Sequence, residues 1–435
     1  MNISEKASLL ENKLNSKTKE ERLEALKNLM TLYSIGEVAV PPAGKHVNNH
    51  IHTTFSFSPY SPTSALYTAW KNGLATAGIM DHDSISGAEE FLEAGEIINK
   101  AEGVRSIMTT CGFEQRISFK NTPFEGKRLN NPDQLSVAYV ALHGIPKQSF
   151  ALVKEYLAPY VSKRNERNVK MVEKINSLVA SKGMGITFEE VKALSENDNG
   201  GSITERHVLF ALTKKILEKK KTPDEIISFI ENDLGYPISE SNKKRIYEFR
   251  PEFIEYDVLG ILKSGMIKSV YVDADEECPD IKTFIDIAKK AGGISAYAYL
   301  GDVGDSVTGD KKAQTFEDSF LDDLVLYLKE CGFDSVTYMP SRNTTEQLRR
   351  LMALCDRNEL FQISGEDINS PRQSFTNDKI LSPEYRHLVS STYALIGHEK
   401  AANLHKEGGM FSASTVKKYP SLTERISVFE KKGRE

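Results

Sequence analysis

Cysteine and tryptophan are scarce, with four cysteines and one tryptophan in 435 residues. No two cysteines have the close spacing of a zinc knuckle or of a redox CxxC motif: Cys111, Cys278, Cys331 and Cys355. We therefore expect free thiols in a reducing compartment. A packing role as small apolar side chains accounts for them.

Long apolar runs are also missing, since no stretch of about 18 apolar residues occurs and a transmembrane helix is not expected. Glu5, Glu11 and Lys13 interrupt the first residues, so we do not expect a signal peptide, and a cytoplasmic location follows. The formal net charge of −5 excludes a generally basic surface, which makes an extended nucleic-acid partner an unfavourable hypothesis. What remains is a packed globular chain with 40% hydrophobic and 27% charged residues.

Helical and strand patterns divide the chain. Residues 1–40 carry leucines at helical spacing and predict an N-terminal helical extension that packs on the rest of the chain or on a partner. Strand and helix patterns alternate over residues 41–147 and again over 269–380, which predicts an α/β fold with a parallel sheet, open or closed into a barrel. Between them, residues 148–268 predict an inserted helical subdomain, and residues 381–435 a C-terminal helical segment.

Three helix starts carry the pattern of a capping box. The residue pairs are Ser86 with Glu89, Thr187 with Glu190, and Asn343 with Glu346. We expect a helix to begin at each of these pairs.

The most distinctive local motif is Asn49-His50-Ile51-His52-Thr53, in a predicted strand over His46–Thr54. Alternate residues of a strand point to the same face, so the two imidazoles lie side by side, about 7 Å apart at their backbones. This arrangement suits two ligands on one metal ion. The alternative is that an HxH pattern arises by chance and has a purely structural role.

Ionisable residues also follow three other predicted strands. Asp81-His82-Asp83 follows an apolar strand ending at Met80, Glu114 follows the next strand, and Asp367 and Asn369 follow a late one. Each has an ordinary alternative, such as a helix cap or a solvated loop residue. Their joint occurrence at the carboxyl ends of strands favours a site, because parallel α/β folds place their sites there. Histidine combined with carboxylate suits Zn, Mn or Fe rather than calcium.

The order HxH, DHD, GxE and late Gly-x-Asp-x-Asn resembles the PHP (polymerase and histidinol phosphatase) family over roughly residues 46–376. The segments 164–167 and 204–208 are similar to the helical insertion of small PHP phosphoesterases that act on nucleotides. The resemblance implies a distorted (β/α)7 TIM-like barrel, divalent metal ions and hydrolysis of phosphoesters. It implies metal ligation by a set of residues spread along the chain: His50, His52, His82, Glu114, Asp367 and Asn369.

The chain departs from the family at four expected ligands, which are here Phe57, Tyr139, Tyr299 and Asn369. His143 lies about 13 Å along the strand from Tyr139 and replaces the missing histidine only if the strand is bulged or the alignment shifts. We therefore expect one ion, or two with a weak second site, rather than three.

Phosphate binding requires local positive charge, and guanidinium groups fit phosphate oxygens. The candidates are Arg206, Arg342 and Arg372, with His207 as a substrate contact or a packing residue. Arg342 precedes a predicted helix start, where backbone NH groups also favour anions. Arg164 and Arg167 are further candidates from the helical insertion, and a surface ion pair is the alternative for every arginine.

These motifs favour a metal-dependent phosphoric ester hydrolase that acts on a small phosphorylated substrate, for instance a nucleotide. In this hypothesis a metal-bound hydroxide attacks phosphorus, and His82 and Asp81 are the catalytic candidates. The alternative is a catalytically impaired binding or regulatory module with the same fold, which the two tyrosines favour. Hydrolysis of another kind of bond is a third interpretation, because a fold does not fix its chemistry.

Overall fold

One seven-stranded sheet forms the centre of the protein in the computed structural model, which describes residues 2–303 and 314–435. The strands follow one another across the sheet in chain order. They are β1 Val47–Ile51, β2 Thr76–His82, β3 Met108–Ser118, β4 Val137–His143, β5 Ile294–Ala298, β6 Ser335–Tyr338 and β7 Phe361–Ser364.

Helices surround this sheet and fill the predicted helical segments. The first four are α1 Ile3–Lys13, α2 Lys19–Ser34, α3 Pro62–Lys71 and α4 Ala88–Lys100. The long stretch between β4 and β5 contains α5 Phe150–Val179, α6 Phe188–Lys192, α7 Glu205–Lys219, α8 Pro223–Ser228, α9 Glu240–Glu248, α10 Ile254–Val270 and α11 Ile281–Ala291. The remaining helices are α12 Leu321–Cys331, α13 Thr345–Arg357, α14 Arg386–Leu404, α15 Ala413–Lys418 and α16 Leu422–Arg434.

The direction of β4 corrects the prediction of a parallel sheet. β1, β2 and β3 run parallel, as do β5, β6 and β7, whereas β4 is antiparallel to both of its neighbours. Residues 119–136, between β3 and β4, contain no α-helix. A parallel neighbour requires a crossover connection, usually a helix, and without one the chain turns back alongside β3. The protein is therefore a mixed α/β fold.

The two ends of the sheet meet. Ile368, just after β7, forms a parallel bridge with Ile51 in β1. The His52 amide donates to the Ile368 carbonyl at 2.9 Å, and the Ile368 amide donates to the His50 carbonyl at 3.1 Å. A curled sheet follows, and the late Gly-x-Asp-x-Asn motif lies beside the HxH motif. Gly365 permits this contact, because a Cβ there would lie 2.5 Å from the His50 Cβ.

The helical stretch between β4 and β5 has an apolar core of its own. Helix α5 contributes to two cores, because Phe150 and Val153 pack with the sheet whereas Met171 and Ile175 pack with α7 and α10. Phe57, from the loop after β1, joins this second core. The helical stretch is thereby attached to the loop at the carboxyl end of β1.

The N-terminal helix α2 packs on the sheet. Leu26 and Leu29 of α2 are buried in the core that underlies the sheet. The buried Arg22 Nε donates to Glu90 Oε1 at 2.8 Å and so joins α2 to α4.

Among the described residues, no helix combines the length and apolar character that a membrane span requires.

Helix capping agrees with the sequence at one position of three. The Thr187–Glu190 capping box is confirmed. The Ser86–Glu89 prediction is wrong, because α4 begins after Gly87 without a side-chain cap, and the Ser86 amide donates to Ser84 Oγ. The Asn343–Glu346 prediction is one residue early. Thr344 and Gln347 form the box, and the Asn343 side chain instead donates through Nδ2 to the Leu300 carbonyl.

Candidate metal centre

Three buried side chains converge where β1 ends and where β3 passes the end of β2. Glu114 lies within β3, not after the strand as predicted, because β3 continues to Ser118 alongside β4. The ligand atoms of His50, His52 and Glu114 all lie within 4.8 Å of one another. The two Nε2 atoms are 3.1 Å apart, and His50 Nε2 is 3.7 Å from Glu114 Oε2. The alternation along β1 places both imidazoles on one face, and β3 supplies the carboxylate.

His82 and Asp367 flank this group. The parallel register of β2 and β3 pairs His82 with Glu114, and His82 Nδ1 lies 3.0 Å from Glu114 Oε2, off the line of a straight hydrogen bond. The His82 ring stacks on His52, with ring centres 4.6 Å apart. Asp367 Oδ1 lies 3.2 Å from His52 Nε2, and the Asn369 side-chain Nδ2 donates to the same oxygen at 2.6 Å.

Asp81 is not one of the ligand residues, but it orients His52 through Ser56. Its carboxylate is buried and accepts three hydrogen bonds, from the Thr53 amide at 2.7 Å, from Thr53 Oγ1 at 2.6 Å and from Ser56 Oγ at 2.6 Å. Because Ser56 gives its proton to Asp81, Ser56 Oγ can only accept from His52 Nδ1, at 3.2 Å. The proton of neutral His52 is therefore on Nδ1, and Nε2 presents a lone pair.

That lone pair makes the group suitable for a cation. His52 Nε2 faces an Asp367 carboxylate oxygen and Nε2 of His50. The lone pair of His52 and the carboxylate oxygen are both acceptors, so a proton or a positive ion is needed between these atoms. Two imidazole nitrogens and carboxylate oxygens are the ligand types that Zn, Mn and Fe prefer. The backing of His52 Nδ1 by a serine and a carboxylate is the usual support of a metal-ligating histidine. The residues present therefore fit a divalent metal ion.

The electrostatics of the group keep its carboxylates ionised. Burial alone would raise the pKa of Glu114, but His82 and His50 outweigh it and hold that pKa below its usual range. Burial likewise opposes ionisation of Asp367, and His52 holds its pKa well below the usual range. Burial lowers the pKa of His50, yet Glu114 and Asp367 raise it above its ordinary value. Burial together with His52 lowers the pKa of His82, which is therefore neutral at pH 7.

The antiparallel register of β4 explains where Tyr139 and His143 lie. Ala141 is opposite Glu114, so Tyr139 lies nearer the rim and His143 lies deeper, opposite Gly112. Tyr139 lines the cavity, with its ring centre 5.7 Å from that of His82. His143 is 1% exposed, and burial with the nearby His50 lowers its pKa to about 3. It is not a member of the three-residue ligand group.

Phe57 and Tyr299 are two of the four positions at which this chain lacks a ligand expected from the PHP resemblance, and both side chains are engaged with other residues. Phe57 is buried against His207 and Phe210, with ring centres 4.9 Å and 5.4 Å away. The Tyr299 hydroxyl donates to Asp318 Oδ1 at 2.6 Å.

Two adjoining cavities open from the metal centre. The smaller, about 130 Å³, is lined by His50, His82, Glu114 and Tyr139. The larger, about 470 Å³, lies between the late motif and the helices α9 and α10. Arg206, Lys263, Asp367 and Asn369 line both cavities. A substrate bound at the metal centre therefore has room to extend into the larger cavity.

The predicted phosphate-binding residues differ in their contacts. The Arg206 side chain makes no hydrogen bond or ion pair with any residue in the described part of the chain, and it lines both cavities. Arg372 also lines the larger cavity, but its guanidinium pairs with Asp257 at 2.7 and 2.8 Å. Arg342 Nε donates to the Leu300 carbonyl at 3.3 Å. Of the three, Arg206 is thus the most available for an anion.

His207, Arg164 and Arg167 lie away from both cavities. His207 Nδ1 accepts from the Thr204 amide at 3.0 Å and closes the start of α7, so the structure agrees with the packing alternative. Burial and the Arg164 charge lower the pKa of His207 to about 3. Arg164 and Arg167 pair with buried carboxylates, since an unpaired buried guanidinium would be costly. The structure therefore agrees with the ion-pair alternative for both arginines, although these ion pairs lie inside the protein rather than on its surface.

Sequence reasoning missed Ser56, Arg245 and Lys263. Ser56 directs the proton of His52, and the two cations line the larger cavity. A serine four residues after the HxH motif was a detectable signal. The lysine and the second arginine lie on α10 and α9 without any motif, so nothing in the sequence distinguishes them from surface residues.

Similarity to known proteins is limited to the fold. No protein-family model and no curated protein sequence match this chain. A solved candidate metal-dependent phosphoesterase from Bifidobacterium adolescentis is 20% identical over 81% of this chain and 97% of that chain, with a TM-score of 0.51. An amidohydrolase from Chromobacterium violaceum, solved with sulfate and without metal, is 15% identical over 80% of this chain and 96% of that chain, with a TM-score of 0.47. At this identity the first of these structures shows a shared fold, and the PHP resemblance remains a prediction.

Proposed function

We propose that this protein is a metal-dependent phosphoester hydrolase of the PHP type, built on a distorted barrel, that acts on a small phosphorylated molecule such as a nucleotide. In this proposal residues 148–268 are an insertion between the barrel parts 41–147 and 269–380. One observation carries the proposal. The unprotonated Nε2 of His52 faces His50 Nε2 and an Asp367 oxygen, and Glu114 on β3 completes a buried set of two imidazoles and two carboxylates of the kind that binds a divalent cation.

His50, His52 and Glu114 would hold a divalent ion, with Asp367 as a further ligand. His82 lies where it could contact a second ion, and Asn369 acts on the site by donating to Asp367. Such an ion lowers the pKa of a water and neutralises charge on phosphoryl oxygens. Zn, Mn and Fe all match the donor types, and one or two ions fit the residues present.

The protein's own residues supply the other requirements of the reaction. Arg206 binds the phosphoryl group, because its guanidinium reaches the metal cavity and is not engaged elsewhere among the described residues. His82 is neutral and directs Nδ1 toward Glu114, which leaves Nε2 to accept a proton from the attacking water. Asp81 does not contact substrate in this scheme; it is a positioning residue that fixes the tautomer of His52 through Ser56.

The two cavities divide the substrate between them. The smaller cavity, at about 130 Å³, accommodates the phosphoryl group beside His50 and Glu114. The larger cavity, at about 470 Å³, accommodates a leaving group of nucleoside size, and polar residues such as Asn242 and Asn377 line it. Ligand pockets for small molecules fall in this range of volumes.

A binding or regulatory module is the second candidate function. Phe57 and Tyr299 occupy two positions where the PHP resemblance expects ligands, and neither offers a donor to the cluster. Such a module would bind a metal ion and a phosphorylated ligand without turnover.

Metal content and phosphate release together separate these two functions. The protein would be purified without chelator, its metal content measured, and the metal-free form reconstituted with Zn²⁺, Mn²⁺ or Fe²⁺. The hydrolase proposal expects bound metal and release of phosphate from an aryl phosphate and from nucleotides. Bound metal without turnover of any of these substrates would support the module, and absence of bound metal after reconstitution would contradict both.

A further inference from the structure

The carboxyl end of β2 is held by the segment that leads into α7. The His82 carbonyl accepts from Ser202 Oγ at 2.6 Å, and Ser84 Oγ donates to the Gly200 carbonyl at 2.7 Å. The Ser202 amide donates to the Phe55 carbonyl at 2.7 Å. One short segment therefore contacts both loops that follow the metal-site histidines.

Asp83, directly after His82, has a backbone conformation that its neighbours must maintain. Its φ of 49° lies in the left-handed region, which residues other than glycine rarely adopt. The Asp83 amide donates to the Glu114 carbonyl at 2.8 Å. Its buried carboxylate forms an ion pair with Arg164 on α5. The backbone that carries the His82 imidazole is therefore fixed by a side chain from the helical stretch.

Arg164 is in turn fixed within a buried ionic cluster. The cluster has three guanidinium groups, from Arg116, Arg164 and Arg167, and three carboxylates, from Asp83, Glu205 and Glu277. Arg164 is 2% exposed, and its Nη2 lies 3.1 Å from Glu205 Oε2. Buried charges are tolerated when each has partners, so removal of one member leaves the others uncompensated.

We propose that Arg164 is a positioning residue for His82 and that the helical stretch is thereby part of the support of the metal centre. This inference rests on the proposed function, because it assumes that His82 acts at a metal site. Arg164 holds Asp83, Asp83 fixes the backbone of His82, and the imidazole is kept 3.0 Å from Glu114 and stacked on His52. Mutation of residues that support a metal ligand usually lowers metal affinity by about tenfold to a hundredfold.

The cluster also connects the metal centre to the substrate cavity. Glu205 and Arg206 are consecutive residues in the first turn of α7. Glu205 closes the ionic cluster, whereas Arg206 lines both cavities. A phosphorylated ligand that binds Arg206 therefore acts on the same helix turn that holds Arg164.

Arg164→Met tests the inference, with Arg167→Met as the matched control. Both arginines lie on α5 and belong to the same buried cluster, but Arg167 pairs with Glu205 and Glu277 and not with Asp83. The probe is Co²⁺, whose visible absorption reports coordination and whose affinity is measured by titration of metal-free protein. We expect Arg164→Met to weaken Co²⁺ binding about tenfold and alter the spectrum, with Arg167→Met within about twofold of the wild type. Equal changes in both variants, or an unchanged Arg164→Met protein, would overturn the inference.

Asp83→Asn provides a second variant in case Arg164→Met does not fold, as judged by circular dichroism. Asparagine tolerates the left-handed conformation, so only the ion pair is lost. We expect Asp83→Asn to weaken Co²⁺ binding as much as Arg164→Met does. Arg164→Lys keeps the positive charge and should bind Co²⁺ more tightly than Arg164→Met. Unchanged Co²⁺ affinity in Asp83→Asn would contradict the inference. If the wild-type protein binds Co²⁺ but hydrolyses nothing, only the hydrolase proposal falls; if it binds no Co²⁺, both fall.

Discussion

The Nε2 atoms of His50 and His52 lie 3.1 Å apart on one face of β1. Two imidazole nitrogens at this distance need a proton between them. The Asp81–Ser56 contact places the His52 proton on Nδ1, so in the metal-free protein the shared proton must be on His50 Nε2. The raised pKa of His50, which Glu114 and Asp367 cause against the effect of burial, agrees with a protonated His50. A metal ion that binds here must displace that proton.

Metal affinity should therefore depend on pH. The pKa of His50 is above its ordinary value of 6.5, so His50 is protonated below that raised pKa and competes with the ion. We expect affinity to fall as pH falls through this pKa, about tenfold per unit once His50 is protonated. Calorimetric titration with Zn²⁺ in two buffers of different ionisation enthalpy would measure affinity and the protons released. Equal affinity at pH 5.5 and pH 8 would contradict the prediction.

His50→Ala should abolish metal binding. The variant removes one imidazole of the ligand group, and a site with two histidines loses most of its affinity when one is lost. His46→Ala is the control, because His46 precedes the same strand but pairs with the exposed Asp378, at 2.8 Å. Elemental analysis after dialysis against equimolar Zn²⁺ gives the metal content. Retention of metal by His50→Ala at the wild-type level would refute the ligand assignment.

Arg206→Gln should weaken phosphate binding. Loss of a charge-assisted hydrogen bond reduces affinity by roughly tenfold to a hundredfold. We expect KM to rise, or kcat/KM to fall, by that factor, and inorganic phosphate to inhibit correspondingly less. Arg372→Gln is the comparison, since Arg372 is held by Asp257 and should alter thermal stability more than substrate affinity. A larger loss of phosphate affinity in Arg372→Gln than in Arg206→Gln would reverse the assignment.

Glu399 on α14 should make folding stability depend on pH. Its buried carboxylate accepts from Thr110 Oγ1 at 2.7 Å and from the Cys111 amide at 3.0 Å, and burial raises its pKa to about 7. Because the folded pKa is above the unfolded value, the contribution of this group is fully present below about pH 4.5 and is lost as pH rises through about 7.

Glu399→Gln removes the charge and keeps an oxygen that accepts both hydrogen bonds. We expect the variant to gain stability relative to the wild type between pH 5 and pH 8, by up to about 3 kcal/mol. Denaturant unfolding at several pH values measures the difference, and Glu424→Gln, on an exposed part of α16, is the control. A difference between Glu399→Gln and wild type that does not change with pH would contradict the pKa shift.

Local patterns in the sequence were sufficient for the strands and for half of the site. The alternation of His50 and His52 determines their common face whatever the fold, and the apolar run before Asp81 identifies a strand end. The approach of Asp367 to His52 was predicted only through the expectation that strand ends meet, which the bridge between Ile51 and Ile368 realises. These predictions depend on periodicity and on general rules of sheet geometry.

The parts of the fold and of the site that the sequence did not predict depend on contacts between distant segments. The sequence around Arg164 resembles a solvent-exposed helix face. Only the position of α5, beside the end of β2 and the start of α7, shows that the guanidinium meets Asp83 and Glu205. The reversal of β4 had a visible but unused signal, namely the absence of a helical pattern between residues 119 and 136. Phe57 likewise could not be placed, because its partners belong to α7 and α10.

Anomalous diffraction from a crystal grown with Zn²⁺ is the most direct test of the metal centre. We expect an anomalous peak within about 2.0–2.2 Å of His50 Nε2, His52 Nε2 and a Glu114 oxygen. A crystal with saturating Zn²⁺ that shows no peak among these three side chains would contradict the proposed metal centre.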